Sequence, residues 1–352
     1  MDSVAPVSAP ADSAPILVVG PSWVGDMVMA QSLFRVLAAR PGNPALDVLA
    51  PRWCADLLAR MPEVRSAIPL PFAHGELALA RRRRIGVELR GRGYAQAIVL
   101  PNSLKSALVP WFADIPRRTG WRGELRYGLL NDLRRLDPER LPLMVQRFVA
   151  LGVDAGAALP EPPRPRLRAD QGAAAALRAR LGLESVRPVL ACCPGAEFGP
   201  TKRWPEAHFA AVAAAAIEAG MQVWLFGSTG DRSVTAGIRA ALAAPAQAHC
   251  ADLAGHTTLA DAIDLLACAS AVLSNDSGLM HVAAALGRPL AVVYGGSSPR
   301  FTPPLVDDPV LFTSSLDCVP CFERTCRYGH YRCLRDQLPG PVAAVVLRLA
   351  GR

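Results

Sequence analysis

The chain has 352 residues, 51% apolar and 19% charged, with 38 basic and 30 acidic side chains and a formal charge of +8. At roughly 150 residues per domain this length suggests two domains, each able to bury its own core. The apolar content excludes a disordered chain, the lack of a glycine repeat excludes a collagen-like one, and the positive balance points to an anionic partner.

Residues 1–15, MDSVAPVSAPADSAP, have neither the cationic start nor the apolar centre of a signal peptide and read as a disordered lead-in. No apolar run approaches the roughly 18 to 20 residues of a membrane span, so a cytoplasmic location is expected. Nine cysteines, an odd count, fit a reducing compartment better than a disulfide framework. From residue 16 a rhythm sets in: short apolar run, small-residue turn, helix. ILVVG (16–20) predicts a buried strand and Met27–Ala39 a helix. ALDVLA (45–50) and YAQAIVLP (94–101) predict further strands, and Ser103–Phe112 another helix. Such runs suit parallel strands covered on both faces. LPEPPRPRLRAD (159–170), with its four prolines, reads as an extended linker or as a surface loop within one domain.

The rhythm then restarts. VRPVLACCPG (186–195), MQVWLFGS (221–228), HCADLAG, AVLSND (271–276) and PLAVVYG (289–295) predict strands. Helices are expected from Glu206, from Asp231, over Leu259–Ala269 and over Gly278–Gly287. The predicted fold class is α/β, with two doubly wound Rossmann-like domains facing a central cleft, the first over 16–165 and the second over 170–335.

Ligands of such sheets sit beyond the carboxyl ends of the strands. PSWVGDMVMA (21–30) follows the first strand there, and Asp26 among apolar neighbours is either a tuned general base or a helix N-cap. The loop lacks the third glycine of a dinucleotide fingerprint and the GK[ST] of a P-loop, which argues against an NAD oxidoreductase and an NTPase. CCPGAEFGPTKRWP (192–205) offers backbone N–H groups, the Thr201 hydroxyl and the Lys202 ammonium to an anion. Lys105 and Lys202 are the only lysines of the chain, so Lys202 is either specially placed or a solvated surface residue. In SNDSGLMHVAAALGRP (274–289) a helix beginning at Ser277 and Gly278 can favour a phosphate, and Asp276 can accept from sugar hydroxyls. His281 lies one turn further on and, taken alone, reads as a core histidine. GSTGD (227–231) and YGGSSP (294–299) add small-residue loops on the same rim. Asp231, after Ser228, either caps a helix or holds ribose hydroxyls. Together these motifs read as a nucleotide-sugar glycosyltransferase: a diphosphate held by the second domain, a carboxylate base on the first. Cys318, Cys321, Cys326 and Cys333, with His330 nearby, are spaced either for a structural zinc or as free, redox-sensitive thiols.

PSWVGDMVMAQSLFRVL, PNSLKSALVPWFADIPRRTGWRGELRYGLLND, PGAEFGPTKRWP and NDSGLMHVAAALGRPL closely resemble the lipopolysaccharide heptosyltransferases, over Ile16 to Pro304. The resemblance implies a GT-B fold whose C-terminal helix, within 336–352, returns to the first domain. It implies inverting transfer, without a catalytic metal or cofactor, of L-glycero-D-manno-heptose from ADP-heptose to the first heptose of heptosyl-Kdo2-lipid A. Transfer to Kdo, or nucleotide-sugar binding without catalysis, is the alternative. It aligns Asp26 with the base and Lys202 with the donor phosphates. Thr201, Asp276, Ser277, Gly278 and His281 fall in donor-binding segments, and Ser228, Asp231 and Thr257 match more loosely. Asn102, Lys105, Arg118 and Arg122 fall on the acceptor side. The cysteine-rich tail departs from the best-known members of the family.

The charge is local. Arg81 to Arg140 holds 14 basic and six acidic side chains, which accounts for the whole surplus. This region is either a solvated face or a docking surface for the anionic lipid acceptor at the inner face of the inner membrane. With only 6% aromatic residues and no recognised module, nucleic acid is not an expected partner.

Overall fold

The computed structural model describes residues 14–72, 75–183 and 186–351; most of the expected lead-in lies outside the described residues. The chain divides into two units between Arg164 and Pro165, inside the proline-rich stretch.

In the first unit six strands form one parallel sheet: β1 (Ile16–Val19), β2 (Leu46–Pro51), β3 (Val64–Leu70), β4 (Gln96–Val99), β5 (Arg117–Trp121) and β6 (Asp132–Arg134). Their order is β3-β2-β1-β4-β5-β6, the doubly wound arrangement in which the chain reverses direction between β1 and β4. All four residues of β1 and of β4 are buried, as strands covered on both faces must be. One charge is tolerated there. Asp47 of β2 has no exposed surface, and its carboxylate accepts from Arg65 at 2.7 Å and from the Tyr94 hydroxyl at 2.5 Å. Burial alone would raise its pKa, but these bonds hold it below the usual carboxylate range.

The second unit repeats the plan with β7 (Val189–Cys193), β8 (Gln222–Leu225), β9 (Cys250–Asp252), β10 (Ala271–Asn275), β11 (Leu290–Val293) and β12 (Val310–Phe312). All are parallel, in the order β12-β11-β10-β7-β8-β9, so the reversal falls between β7 and β10. The C-terminal helix, Pro339–Ala350, packs on its own unit. Val342, Val346 and Leu349 are buried with Leu190, Ala213, Leu273 and Val293. Burying such side chains is worth about 1.5–3 kcal/mol each, which is reason enough for the helix to stay. Among the described residues no helix is long and apolar enough to cross a membrane.

Candidate active site

In the second unit the rim is built around the strand reversal. The loop after β7 and the loop after β10 meet there, and one ion pair joins them: Lys202 Nζ stands 2.6 Å from Asp276 Oδ2. Asp276 is 3% exposed, so its charge relies on this partner. The register of the two loops is set by Asn275, the buried last residue of β10. Its Nδ2 donates to the Pro194 carbonyl at 2.6 Å and its Oδ1 accepts from the Trp204 backbone N–H at 3.2 Å. Trp204, itself buried, donates through Nε1 to the Gln337 carbonyl at 2.9 Å, which anchors the loop before helix Glu206–Glu218 begins.

Ser277 occupies the N-cap of helix Gly278–Ala285 without a side-chain capping bond. The helix begins two residues after Asp276, and a helix N-terminus beside an ammonium suits a phosphate. His281, one turn on, is 5% exposed. Burial lowers its pKa to about 4, Asp276 opposing and Lys202 reinforcing the shift. It is a neutral imidazole under ordinary conditions. Burial, and then Asp276, push the Tyr294 hydroxyl well up; it donates to the Thr302 carbonyl at 3.0 Å.

The other donor-side candidates are placed on the same rim, in differing states. Thr201 is buried, and its hydroxyl is engaged by main chain. It donates to the Glu323 carbonyl and, at 3.4 Å, to that of Arg324. Ser228 and Asp231 form a capping box: the Ser228 N–H and hydroxyl both donate to Asp231 Oδ2, at 2.9 and 2.8 Å. Asp231 thus takes the capping role, with its carboxylate packed close against Gly195. The Thr257 hydroxyl donates back to the Leu253 carbonyl at 3.3 Å.

In the first unit Asp26 lies in the first turn of helix Val24–Ala38, directly beyond β1. It is half-buried between Gly25 and Met27, both buried. It is not the N-cap; that position belongs to Trp23. Asn102 and Lys105 follow β4, on the other side of the reversal, and Arg122 follows β5. One buried residue not expected from the sequence shapes this edge. Arg126 has no exposed surface, and its guanidinium donates to the Trp121 carbonyl, to the Pro101 carbonyl at 2.7 Å and to Asn102 Oδ1 at 3.2 Å. Glu124 adds a bond, accepting from the Leu104 N–H at 2.7 Å at the start of helix Leu104–Phe112. Arg118, expected on the acceptor side, is tied to its own loop. Its guanidinium donates to the Leu129 and Ile115 carbonyls, at 2.7 and 2.5 Å, and so braces its own loop.

Cys318, Cys321, Cys326 and Cys333 are free thiols. Burial, and then Cys321, Cys318 and Cys326, push the Cys333 thiol up, so the four share one neighbourhood. Cys326 Sγ is 4.0 Å from His330 Nδ1. Among the described residues no group of three or more His, Cys, Asp or Glu side chains is placed to hold a metal ion.

Two Rossmann-like units with candidate donor-phosphate and base residues at their strand reversals define a GT-B glycosyltransferase. Residues 82–332 match the model of glycosyltransferase family 9 (heptosyltransferase), and the chain belongs to that family. It is 55% identical over 296 residues to lipopolysaccharide heptosyltransferase 2 of Salmonella typhimurium, covering 82% of this chain and 85% of that one. It is 49% identical over 300 residues to lipooligosaccharide heptosyltransferase 2 of Haemophilus influenzae, covering 83% and 86%. The solved structure of E. coli ADP-heptose LPS heptosyltransferase II superposes with a TM-score of 0.87 at 48% identity, over 96% of this chain and 98% of that one.

Proposed function

We propose that the protein transfers heptose from ADP-heptose to the first heptose of the lipopolysaccharide inner core, heptosyl-Kdo2-lipid A. The observation that carries this reading is the Lys202–Asp276 pair set against the uncapped start of helix Gly278–Ala285 at the second unit's strand reversal. An ammonium and a helix N-terminus at one point suit a diphosphate. Relatives that share about half of its residues are named for ADP-heptose and lipopolysaccharide, which supports the sugar and the class of acceptor.

In the reaction an acceptor hydroxyl oxygen bonds to the anomeric carbon as the bond from that carbon to the diphosphate oxygen breaks. The hydroxyl proton passes to the Asp26 carboxylate. The electron pair leaves with ADP, whose growing charge Lys202 and the Ser277–Gly278 N–H groups stabilise. A single displacement inverts the anomeric centre. Asp276 positions the ammonium of Lys202 and, with Asn275, keeps the two donor loops in register.

The acceptor is an anionic lipid, and we place its approach on the first unit at the membrane's cytoplasmic face. Helix Leu79–Leu89 turns Arg83, Arg84 and Val87 outward, and Leu79 and Trp111 are exposed nearby. Cations interleaved with apolar side chains suit a phospholipid surface.

The test is ADP release from ADP-heptose, with product mass, in the presence of heptosyl-Kdo2-lipid A, Kdo2-lipid A or neither. Release and gain of one heptose are expected with the heptosylated acceptor alone. Turnover on Kdo2-lipid A would instead make this an enzyme adding the first heptose, and no turnover on either would make it a binding protein.

A further inference from the structure

Residues 313–331, which follow β12, contain no helix or strand, yet their main chain is fastened to the loop after β11 and to the donor loop after β7. Cys321 and Phe322 donate their N–H groups to the Gly296 carbonyl at 3.0 and 2.8 Å. The Thr201 N–H and hydroxyl both reach the Arg324 carbonyl, at 3.5 and 3.4 Å. Gly199, at φ 153°, lies so close that a Cβ there would meet the Arg324 carbonyl oxygen at 2.5 Å. A side chain at 199 would lift the segment off the loop.

This docking brings the Arg324 guanidinium to Phe198. Its Cζ lies 5.4 Å from the ring centroid, and Lys202 Nζ lies 5.2 Å from the same centroid. The two cations therefore gather around one ring, and the aromatic face restrains both. They differ in what already neutralises them. Lys202 is paired with the buried Asp276, so that pair is neutral overall. A diphosphate brings more negative charge than one paired lysine offsets. Arg324 is exposed to solvent, and its planar fork matches phosphate oxygens bidentately.

We infer that Arg324 is a donor-binding residue, its guanidinium taking the diphosphate of the nucleotide sugar beside Lys202. This rests on the reading that the loop after β7 holds a nucleotide diphosphate. The cysteine-bearing segment thereby acquires a role, since its backbone carries a cation to the donor loop.

Calorimetric titration of Arg324→Ala, Arg324→Lys and Lys202→Ala with ADP and with adenosine tests it. Arg324→Ala should weaken ADP binding about tenfold or more, the range for a charge-assisted bond to phosphate. Adenosine affinity and the melting temperature should stay unchanged, because the guanidinium is exposed, and Arg324→Lys should recover part of the loss. If Lys202→Ala weakens ADP while Arg324→Ala binds it within about twofold of the parent, the assignment of Arg324 is wrong and the loop reading stands. Equal losses for ADP and adenosine would make Arg324 a structural brace and overturn the assignment. If neither variant affects ADP, the loop reading fails and takes this inference with it.

Discussion

The two units share one strand order and put their candidate residues at equivalent reversals, yet they treat charge in opposite ways. In the second unit the strand reversal is dry: Asp276, His281, Thr201 and Asn275 are all buried, and each is held by a named partner or by burial itself. In the first the edge is wet. Asn102 and Arg122 are exposed, Asp26 and Lys105 half-buried, and the organising group, Arg126, lies beneath them. Buried charges are screened little by salt and respond to pH through desolvation; exposed ones do the reverse. A unit that holds a small, invariant nucleotide gains from a preformed rim. A unit that receives a large lipid headgroup needs an accessible one.

The largest expected effect separates chemistry on the first unit from binding on the second. Asp26→Asn keeps the shape of the first turn of helix Val24–Ala38 and removes the proton acceptor. Turnover should fall about 10²–10⁴-fold, the usual contribution of a positioned general base. The affinity for ADP-heptose should be unchanged, because the proposed donor residues belong to the other unit. Single-turnover rates and calorimetry on the same preparation check both halves. A variant that loses donor affinity instead of rate would break the division of labour.

The halves are unequally legible in the sequence. Buried runs such as ILVVG and AVLSND announce their strands because a parallel strand covered on both faces must be apolar throughout. β5 and β6 do not: Arg117–Trp121 opens on two arginines, and Asp132–Arg134 is a three-residue edge strand whose Asp132 pairs with Arg117 and Arg134. Lys202 and Asp276 can each be read from their loops, but not their pairing, which spans 74 residues. Asn275 and Arg126 escape a sequence reading for a related reason. Each acts by tying two loops together, and local sequence carries no sign of a distant carbonyl. A polar residue closing the buried run VLSN is the only available hint.

A pH dependence is expected of the dry strand reversal. His281 titrates near 4 in the folded chain, against roughly 6.5 when unfolded, so as pH falls the unfolded chain takes up this proton first. Its contribution is whole above about pH 6.5 and is lost as pH drops toward 4, amounting to about 2–4 kcal/mol. The groups facing it, Asp276 and Lys202, pull in opposite directions and leave burial dominant. Urea unfolding between about pH 7 and 4.5 should show His281→Asn losing less stability than the parent over that interval. Parallel curves would mean that the histidine does not carry the proton difference.

The smallest expected effect probes the wet edge. Arg83 and Arg84 lie on the outward face of helix Leu79–Leu89, away from its buried Arg82, Gly86 and Leu89. A cation near an anionic bilayer is worth about 1 kcal/mol. Replacing both by Ser should therefore weaken binding to phosphatidylglycerol vesicles by roughly ten- to thirtyfold, with the same loss visible as a raised KM for lipid acceptor. Raising salt should reproduce the loss in the parent, since exposed charges farther apart than about 10 Å are screened at 0.1 M. ADP affinity should be less sensitive to salt, because Lys202 and Asp276 lie largely out of water and Arg324 is the exposed cation beside them. If acceptor and ADP binding fell together with salt, the contrast between a wet and a dry unit would be wrong. If the double variant bound vesicles as the parent does, the arginines would be a solvated face and the acceptor would have to dock elsewhere on the first unit.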